Sequence, residues 1–201
     1  NSMLAQDFEP SRLERTKFAI DRLTQQLEQD RIGLIVFAGD AYMQLPITSD
    51  YVAARSFAAQ ISPTMVSKQG TAIGAAIDLA ASSFSSGSEG SRVIVVISDG
   101  ENHEDDALAA AKAAAEKGIR IYTIGIGTPE GAPISIDGEF IKDEQGDMVV
   151  SKLDEQMLEQ IALTTGGAYI RATNRSLGLD EIVQKINELF FLDLVDFRAE
   201  N

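Results

Sequence analysis

The sequence contains no cysteine and no tryptophan, a single histidine and comparatively few basic residues. The missing cysteine excludes disulfides, thiolate metal sites and a cysteine nucleophile, and it leaves the redox compartment open. The 17 Lys and Arg residues are outnumbered by 31 Asp and Glu residues, which gives a formal net charge of -14. Nucleic acid and anionic membrane surfaces are therefore excluded as partners, because no basic stripe exists to neutralise phosphates. Cations and basic protein surfaces remain as possible classes of binding partner.

The sequence also lacks an apolar run of the roughly 20 residues that a membrane-spanning helix needs. Its amino end lacks the basic and apolar pattern of a signal peptide. With 201 residues, of which 44% are hydrophobic, the chain is long enough to bury the core of one domain. We expect this domain to cover residues 1–189 and an apolar tail to cover residues 190–201.

Segments typical of buried strands alternate with segments typical of helices along the chain. The apolar runs 32–38, 93–97, 119–126 and 168–171 predict strands. Segment 42–47 alternates and contains a proline, which predicts an antiparallel partner at a sheet edge. Helices are expected at 10–29, 50–61, 72–84, 104–117, 154–165 and 179–189. This order predicts a three-layer, doubly wound α/β fold with a mostly parallel sheet and one antiparallel edge strand.

Three segments depart from this alternation. Residues 127–153 interrupt it with a hairpin-like stretch, which we interpret as an insertion beside the crevice. The first helix has no strand before it, so a strand is expected to be missing. Segment 190–197, FFLDLVDF, is strongly apolar where a polar tail is usual. We hypothesise that it fills the place of that strand, within one chain or swapped between two copies.

One strand end carries the clearest functional signal. The run Val93–Ile97 is apolar on both faces and predicts a central parallel strand covered by helices; it stops at Ser98, Asp99 and Gly100. Ligands of open α/β sheets bind outside the carboxyl ends of the strands, so Asp99 is the first functional candidate. Asp99 and the acidic run 101–106 suit a hard divalent cation, which prefers oxygen ligands. A turn that merely ends the strand explains Asp99 and Gly100 equally well.

Several other residues have ordinary structural explanations beside functional ones. Thr71 precedes an Ala-rich helix and could be only its N-cap. His103 has no Cys or second His as a companion, and we expect an exposed residue at a helix start. The acidic run 101–106 is expected to be a helix amino terminus that uses the helix dipole, with a second cation site as the alternative. Asp7 and Asp40 are predicted to be solvent-exposed or capping residues.

Three positions resemble a known metal motif. Ser2, Thr71 in QGTAIGAAI and Asp99 in VVISDGEN are similar to three of the five positions of the metal-ion-dependent adhesion site of von Willebrand factor A domains. That site is written D-x-S-x-S, then a Thr, then an Asp. The resemblance implies that Ser2 is the last serine of D-x-S-x-S, and that the leading Asp, the first Ser and the central first strand lie upstream of this chain. It also implies Mg²⁺ or Mn²⁺ as the ion, at a site left incomplete.

The resemblance covers nearly the whole chain and is strongest to the bacterial aerotolerance (Bat) branch of the family. It rests on LIVFAGDAYMQLPITSD, QGTAIGAAIDLA, VVISDGENHEDDA and IGIGTPEGAPI. Members of that branch carry transmembrane helices around the A domain and are associated with MoxR-type ATPases. The resemblance therefore implies a non-enzymatic, metal-dependent protein-binding domain in the cell envelope, anchored in the inner membrane with the domain in the periplasm. The partner would supply an acidic side chain to the metal.

Two other functions stay open on the sequence alone. A divalent-metal hydrolase would use Asp99 with the acidic run 101–106, and it should show paired carboxylates and turnover. A metal-independent assembly module would bind a basic partner through the acidic surface. Other enzyme classes are disfavoured, because the chain has neither a G-x-x-x-x-G-K-[ST] phosphate loop nor a G-x-S-x-G nucleophile.

Overall fold

A computed structural model describes residues 1–27, 30–66, 68, 70–85, 90–102, 105–136 and 138–188. The main strands among them are β1 (Ile32–Phe37), β2 (Ala41–Thr48), β3 (Arg92–Ser98), β4 (Ile119–Gly125) and β9 (Tyr169–Arg171). The helices are α1 (Arg12–Thr24), α2 (Tyr51–Gln60), α3 (Ile73–Ser83), α4 (Ala107–Glu116), α5 (Glu155–Thr164) and α6 (179–188). Short 3-10 helices cover Ser2–Leu4 and Pro63–Met65. The predicted alternation of strands and helices is thus confirmed in the described residues.

The elements form three layers around the β3–β4 pair. Strand β3 runs parallel to β4, and β4 runs parallel to β9. Ile94 and Val96 of β3 face a core made with α3, α4 and α5. The alternate side of the same strand faces Leu23 of α1 and Ile182 of α6. Helices therefore cover both faces, as a parallel sheet requires.

The strands lie in two main sheets rather than in one. β1 and β2 form an antiparallel pair, as the sequence predicted for the edge. Among the described strands, however, β1 pairs only with β2, and β3 pairs only with β4. Among the described strands, β3 therefore stands at the end of its sheet rather than at the centre as predicted, and no residue of β1 is fully buried, against the prediction of a buried strand. A groove separates the two strands.

Helix starts are fixed by aspartates that precede them. Asp50 accepts a hydrogen bond from the backbone N–H of Ala53, and Asp154 does the same at the start of α5. Asp106 caps α4 in the same way, so this helix begins at Ala107 rather than at residue 104. Such side chains satisfy N–H groups that have no partner within the helix. The segment 190–197, for which an added strand was predicted, lies outside the described residues.

The insertion after β4 consists of short antiparallel strands. They are β5 (Ala132–Pro133), β6 (Ser135–Ile136), β7 (Glu139–Phe140) and β8 (Val150–Ser151). The two ends of the insertion are joined by a hydrogen bond from Leu153 N to Thr128 O, and Asp154 N, just after the insertion, donates to Asp99 O at the carboxyl end of β3 at 2.7 Å. The predicted position of the insertion beside the crevice is thereby confirmed.

Candidate functional site

Asp99 lies at the carboxyl end of β3 and is almost fully buried, with a relative exposure of 2%. Its Oδ2 accepts a hydrogen bond from Ser151 Oγ at 2.9 Å and another from Arg12 Nη1 at 3.2 Å. The next residue, Gly100, has a φ of +79°, which favours glycine. An added Cβ there would lie 2.2 Å from the carbonyl oxygen of Asp154. The loop after β3 is therefore held tightly against the end of the insertion.

Arg12, on the first turn of α1, is the residue that sequence analysis missed. Its side chain is 0% exposed, and its guanidinium donates from Nε to Asp7 Oδ1 and from Nη2 to Asp7 Oδ2, both at 2.8 Å. Nη1 also donates to Ser151 Oγ at 2.8 Å. A buried arginine needs such compensation, because an unpaired buried charge is costly. No pattern in the sequence around Arg12 indicates this burial.

The Asp7 carboxylate belongs to the same buried network. Oδ2 of Asp7 accepts from the backbone N–H of Thr128 at 3.1 Å, in addition to its one bond from Arg12 Nη2. The prediction of Asp7 as a solvent-exposed or simple capping residue is therefore wrong. Asp7, Arg12, Asp99 and Ser151 form one cluster, which we call the buried ion cluster. It joins the amino-terminal segment, α1, the end of β3 and both ends of the insertion.

Thr71 lies just before α3, opposite the loop that follows β3. The N-cap of α3 is Ala72, which makes no side-chain cap bond, so the interpretation of Thr71 as the N-cap is wrong. Instead, Asn102 Oδ1 accepts from Ile73 N, and Asp105 accepts from the next two backbone N–H groups, of Gly74 and Ala75, at 3.0 and 2.7 Å. The loop carrying Asp99 thus caps the helix that follows Thr71.

Ser2 lies against the other side of the buried ion cluster. Its carbonyl oxygen accepts a 3.5 Å hydrogen bond from Arg12 Nη1, the same nitrogen that contacts Asp99. The pKa of the terminal amine of the adjacent Asn1 is lowered, mainly because the amine is buried. The negative charge of Asp99 has the smaller, opposite effect and raises that pKa. The backbone of Ser2 therefore approaches Arg12 beside Asp99, and the backbone just after Thr71 contacts the loop that follows β3.

The described acidic residues of the run 101–106 accept hydrogen bonds from backbone N–H groups. Glu101 Oε1 accepts from the backbone N–H of Lys152, while Asp105 and Asp106 cap α3 and α4. The interpretation of this run as a helix amino terminus is confirmed for Asp106. His103 lies outside the described residues. Among the residues that the structure does describe, no group of three or more His, Cys, Asp or Glu side chains could hold a metal ion.

The donor set around Asp99 matches a hard divalent cation only in part. Two hydroxyl side chains and one carboxylate are oxygen donors of the kind that Mg²⁺ and Mn²⁺ prefer. The Arg12 guanidinium already lies 3.2 Å from Asp99 Oδ2, and its positive charge opposes a cation there. An ion at this position therefore needs further oxygen ligands, or it must share Asp99 with Arg12.

Comparison with known proteins shows the family to which the chain belongs. The profile described as the von Willebrand factor type A domain matches residues 1–185. An aerotolerance-related membrane protein from Bacteroides fragilis is 52% identical, with 94% of each chain covered and a TM-score of 0.89. The conserved hypothetical protein BatB from Bacteroides thetaiotaomicron is 49% identical, with 93% of this chain and 94% of that chain covered and a TM-score of 0.87.

More distant similarities concern longer proteins, and one of these is described with a bound metal. An uncharacterised protein of Borreliella burgdorferi is 32% identical over 163 residues, which cover 79% of this chain and 47% of that protein. The chain thus spans about half the length of the curated relatives it matches. A mussel byssus matrix protein, described with a zinc-occupied adhesion-site motif, shares the fold at 16% identity and a TM-score of 0.65, over 92% of this chain and 43% of that one. None of the helices among the described residues is long and apolar enough to cross a membrane.

Proposed function

Because the chain belongs to the von Willebrand factor type A domain family, we propose that it is a divalent-metal-dependent protein-interaction domain of a bacterial cell-envelope protein. The observation that supports the proposal is the position of Asp99 at the carboxyl end of β3, in a loop that also caps α3 just after Thr71. Similarity to an aerotolerance-related membrane protein, at 52% identity, supports the envelope setting. The domain is non-catalytic in this proposal.

The metal is proposed to be Mg²⁺ or Mn²⁺, held by oxygen atoms of Ser2, Thr71 and Asp99. Asp99 is the one anionic ligand of this set, so the bound ion keeps most of its positive charge. A partner carboxylate from Asp or Glu is then attracted to the ion in an environment that screens charge poorly. We propose that the partner recognises the ion in this way.

The remaining ligands are proposed to come from a D-x-S sequence at the end of a first central strand. Support for such a strand is the groove between β1 and β3, whose facing edges lack a described partner strand. A carboxylate and a hydroxyl supplied there would compensate the charge of the ion. They would also offset the repulsion from Arg12.

The setting of the parent protein is part of the proposal. We propose an inner-membrane protein with this domain in the periplasm, acting in a complex with a MoxR-type ATPase. This chain covers 47% of one curated relative and 52% of another. The rest of such proteins can contain membrane-spanning or other segments. Co-purification of the full-length parent with the ATPase, with and without a chelator, tests this part.

Calorimetric titration with Mg²⁺ and Mn²⁺ tests the metal site. We compare the 201-residue chain with a chain extended upstream by a strand that ends in D-x-S. The extended chain is expected to bind at least tenfold more tightly, because the added oxygen ligands complete the coordination shell. In the extended chain, Asp99→Asn and Thr71→Ala should each weaken binding at least tenfold.

The control is Asp147→Asn, which removes one negative charge from the exposed part of the insertion. It should leave the affinity of the extended chain for either ion within about twofold, because exposed charges at a distance are screened. Equal weakening by Asp147→Asn and Asp99→Asn would contradict a specific site. Failure of the folded extended chain to bind either ion would contradict the metal proposal itself.

The second candidate is the metal-independent assembly module, and the Arg12–Asp99 contact favours it. A guanidinium at 3.2 Å already neutralises the carboxylate without an ion. In that case binding to the partner survives a chelator and weakens with salt, because it depends on the negative surface of the domain. We do not propose a hydrolase, because the described acidic residues of the run 101–106, which it would pair with Asp99, accept hydrogen bonds from backbone N–H groups.

A further inference from the structure

We propose that the outer face of the insertion after β4 is a docking surface for a protein segment in which apolar side chains are flanked by Lys or Arg. The inference goes beyond the proposed function, because it does not depend on a metal ion. It rests on the pairing of the short strands β5 to β8, on apolar side chains that stay exposed on them and on the carboxylates beside these side chains.

The strands of the insertion meet in a closed three-way junction. Ile134 N donates to Val149 O at 3.1 Å, and Val149 N donates to Ile141 O at 2.9 Å. Ile141 N donates back to Ile134 O at 2.9 Å, which completes a cycle of backbone hydrogen bonds. The cycle pairs the backbone groups at the centre of the junction, where the three strand segments come together. The insertion is therefore a small sheet and not an irregular loop.

The two faces of this sheet differ in burial. Successive side chains of a strand point to opposite faces. Ala132, Ile134 and Ser151 are buried and mark the inner face, toward the domain. Pro133 and Val150, which lie between or beside these residues, are opposite each other in the strand pairing. They belong to the other face, which we call the outer insertion face.

The outer insertion face is one continuous patch. Each of its side chains lies opposite one neighbour in the strand pairing and two residues along the chain from another. Opposite side chains have Cβ atoms about 4.5–5.5 Å apart, and residues two apart in a strand are separated by about 7 Å. The side chains of the patch are, in order around it, Pro133, Ser135, Phe140, Lys142, Met148 and Val150.

Apolar side chains of this patch are exposed where polar ones are usual. Phe140 and Met148 are each 54% exposed, and Val150 is 44% exposed. The solvated face of an antiparallel sheet normally carries polar residues. Phe and Met are instead enriched in the cores of protein interfaces. A partner that removes these three side chains from water would gain hydrophobic free energy.

Carboxylates lie beside the apolar side chains. Glu139 precedes Phe140, and Glu144 and Asp147 lie in the turn that leads from Lys142 to Met148. The exposed acidic residues in the described part of the insertion are Glu130, Glu139, Asp143, Glu144 and Asp147, against two exposed lysines, Lys142 and Lys152. None of these seven side chains forms an ion pair with another described residue. The charge therefore favours a partner with Lys or Arg beside its apolar residues.

Strand β8 places this surface next to the candidate site. Val150 lies on the outer insertion face, whereas Ser151 points inward and donates to Asp99 Oδ2 at 2.9 Å. The next residue, Lys152, donates its backbone N–H to Glu101 Oε1 at 3.0 Å. A segment docked on the outer insertion face therefore borders the loop at the carboxyl end of β3.

Selection from a random peptide library displayed on phage tests the chemistry of the partner. The library is first cleared on the double variant Phe140→Ser, Met148→Ser, which removes peptides that bind elsewhere, and is then selected on the unsubstituted chain. EDTA is present throughout, so failure of the metal proposal leaves this result unchanged. Selected peptides are expected to combine apolar residues with Lys or Arg. Selection of acidic or purely apolar peptides, or of none, would overturn the proposal.

Titration with one selected peptide then locates its binding. Its affinity for the double variant should fall at least tenfold, as for central residues of an interface. Glu139→Gln combined with Asp147→Asn should weaken binding and reduce its dependence on salt. The control Val52→Ser, Leu163→Ser removes exposed apolar side chains of α2 and α5 and should change the affinity by less than about twofold. Equal weakening by this control would overturn a specific surface.

Two further measurements exclude other occupants. Amide spectra of the double variant should match those of the unsubstituted chain outside 127–153, because both substituted side chains are exposed. Sedimentation should give both proteins the same oligomeric state, and neither should float with phosphatidylcholine vesicles. A dimer that the double variant loses would identify a second copy as the occupant and overturn the proposal. Vesicle binding that the double variant loses would identify a membrane and overturn it as well.

Discussion

At the scale of single residues, the buried ion cluster dominates the site. Arg12 makes charge-assisted hydrogen bonds to both Asp7 and Asp99, and each of these carboxylates also accepts from the insertion. The guanidinium therefore connects Asp99, the proposed metal ligand, to Asp7 in the amino-terminal segment. Arg12 is a positioning residue for Asp99, since it fixes the carboxylate without itself being a metal ligand.

Removal of the Arg12 charge is predicted to be strongly destabilising. Arg12→Met keeps most of the apolar volume but leaves two carboxylates buried without their cation, which costs about 3–5 kcal/mol of unfolding free energy. Urea unfolding measures this change. The matched control is Arg22→Met, whose pair with Asp180 is exposed and should cost under about 1 kcal/mol. Similar small losses in both variants would show that Arg12 is not essential for the site.

Gly100 reports how closely the loop after β3 approaches the insertion. Gly100→Ala places a Cβ 2.2 Å from the Asp154 oxygen at a positive φ, so the backbone itself must move. Gly146→Ala, at a φ of +91° with open space around it, has the conformational cost alone, about 1 kcal/mol. Thermal or urea unfolding should therefore show a clearly larger loss for Gly100→Ala. Equal losses would mean that the loop is not held where the structure has it.

At the scale of elements, α3 depends on a side chain from another segment. The Asp105 carboxylate accepts hydrogen bonds from two backbone N–H groups at the start of α3. A Cβ added at Gly74 would lie only 2.9 Å from the carboxylate carbon of Asp105. The glycine thus makes room for the carboxylate. This contact joins the loop after β3 to the helix that follows Thr71, and it keeps the two candidate ligands on one side of the domain.

Loss of the Asp105 cap is predicted to destabilise the domain and to loosen the start of α3. Asp105→Ala removes both acceptors and should cost about 2 kcal/mol, at the upper end for a helix cap. Asp106→Ala removes the single cap bond of α4 and should cost about 1 kcal/mol. Urea unfolding gives both values, and hydrogen exchange at residues 73–75 locates the first. An unchanged exchange rate there would contradict the cross-segment cap.

The elements themselves were largely predictable from local pattern. Apolar periodicity, Gly and Pro placement and aspartate caps located the main strands and the helices within a few residues, because these signals act over short stretches. Pairing was not predictable in the same way. The sequence marks β3 as apolar on both faces, but it does not say that β4 is its one partner among the described strands. Arg12 and Asp7 were missed because their partners, Asp99, Ser151 and Thr128, are remote in the chain.

At the scale of the whole molecule, the fold is divided by the groove between β1 and β3. Helices cover both faces of the β3–β4–β9 sheet, whereas β1 and β2 form a separate pair. Asp99 lies at the carboxyl end of the strand that borders this groove. Filling of the groove and completion of the metal site are therefore linked in the proposed account, because an upstream strand would end in the remaining ligands.

The most direct test of the central claim is paramagnetic broadening by Mn²⁺ in amide spectra of the extended chain. The account predicts that substoichiometric Mn²⁺ broadens residues 71–74 and 99–102 first, and that Asp99→Asn abolishes this effect. The exposed acidic part of the insertion, residues 139–147, should broaden only at higher ion concentration. Broadening that begins at 139–147 and leaves 71–74 and 99–102 sharp would contradict a metal site at the end of β3.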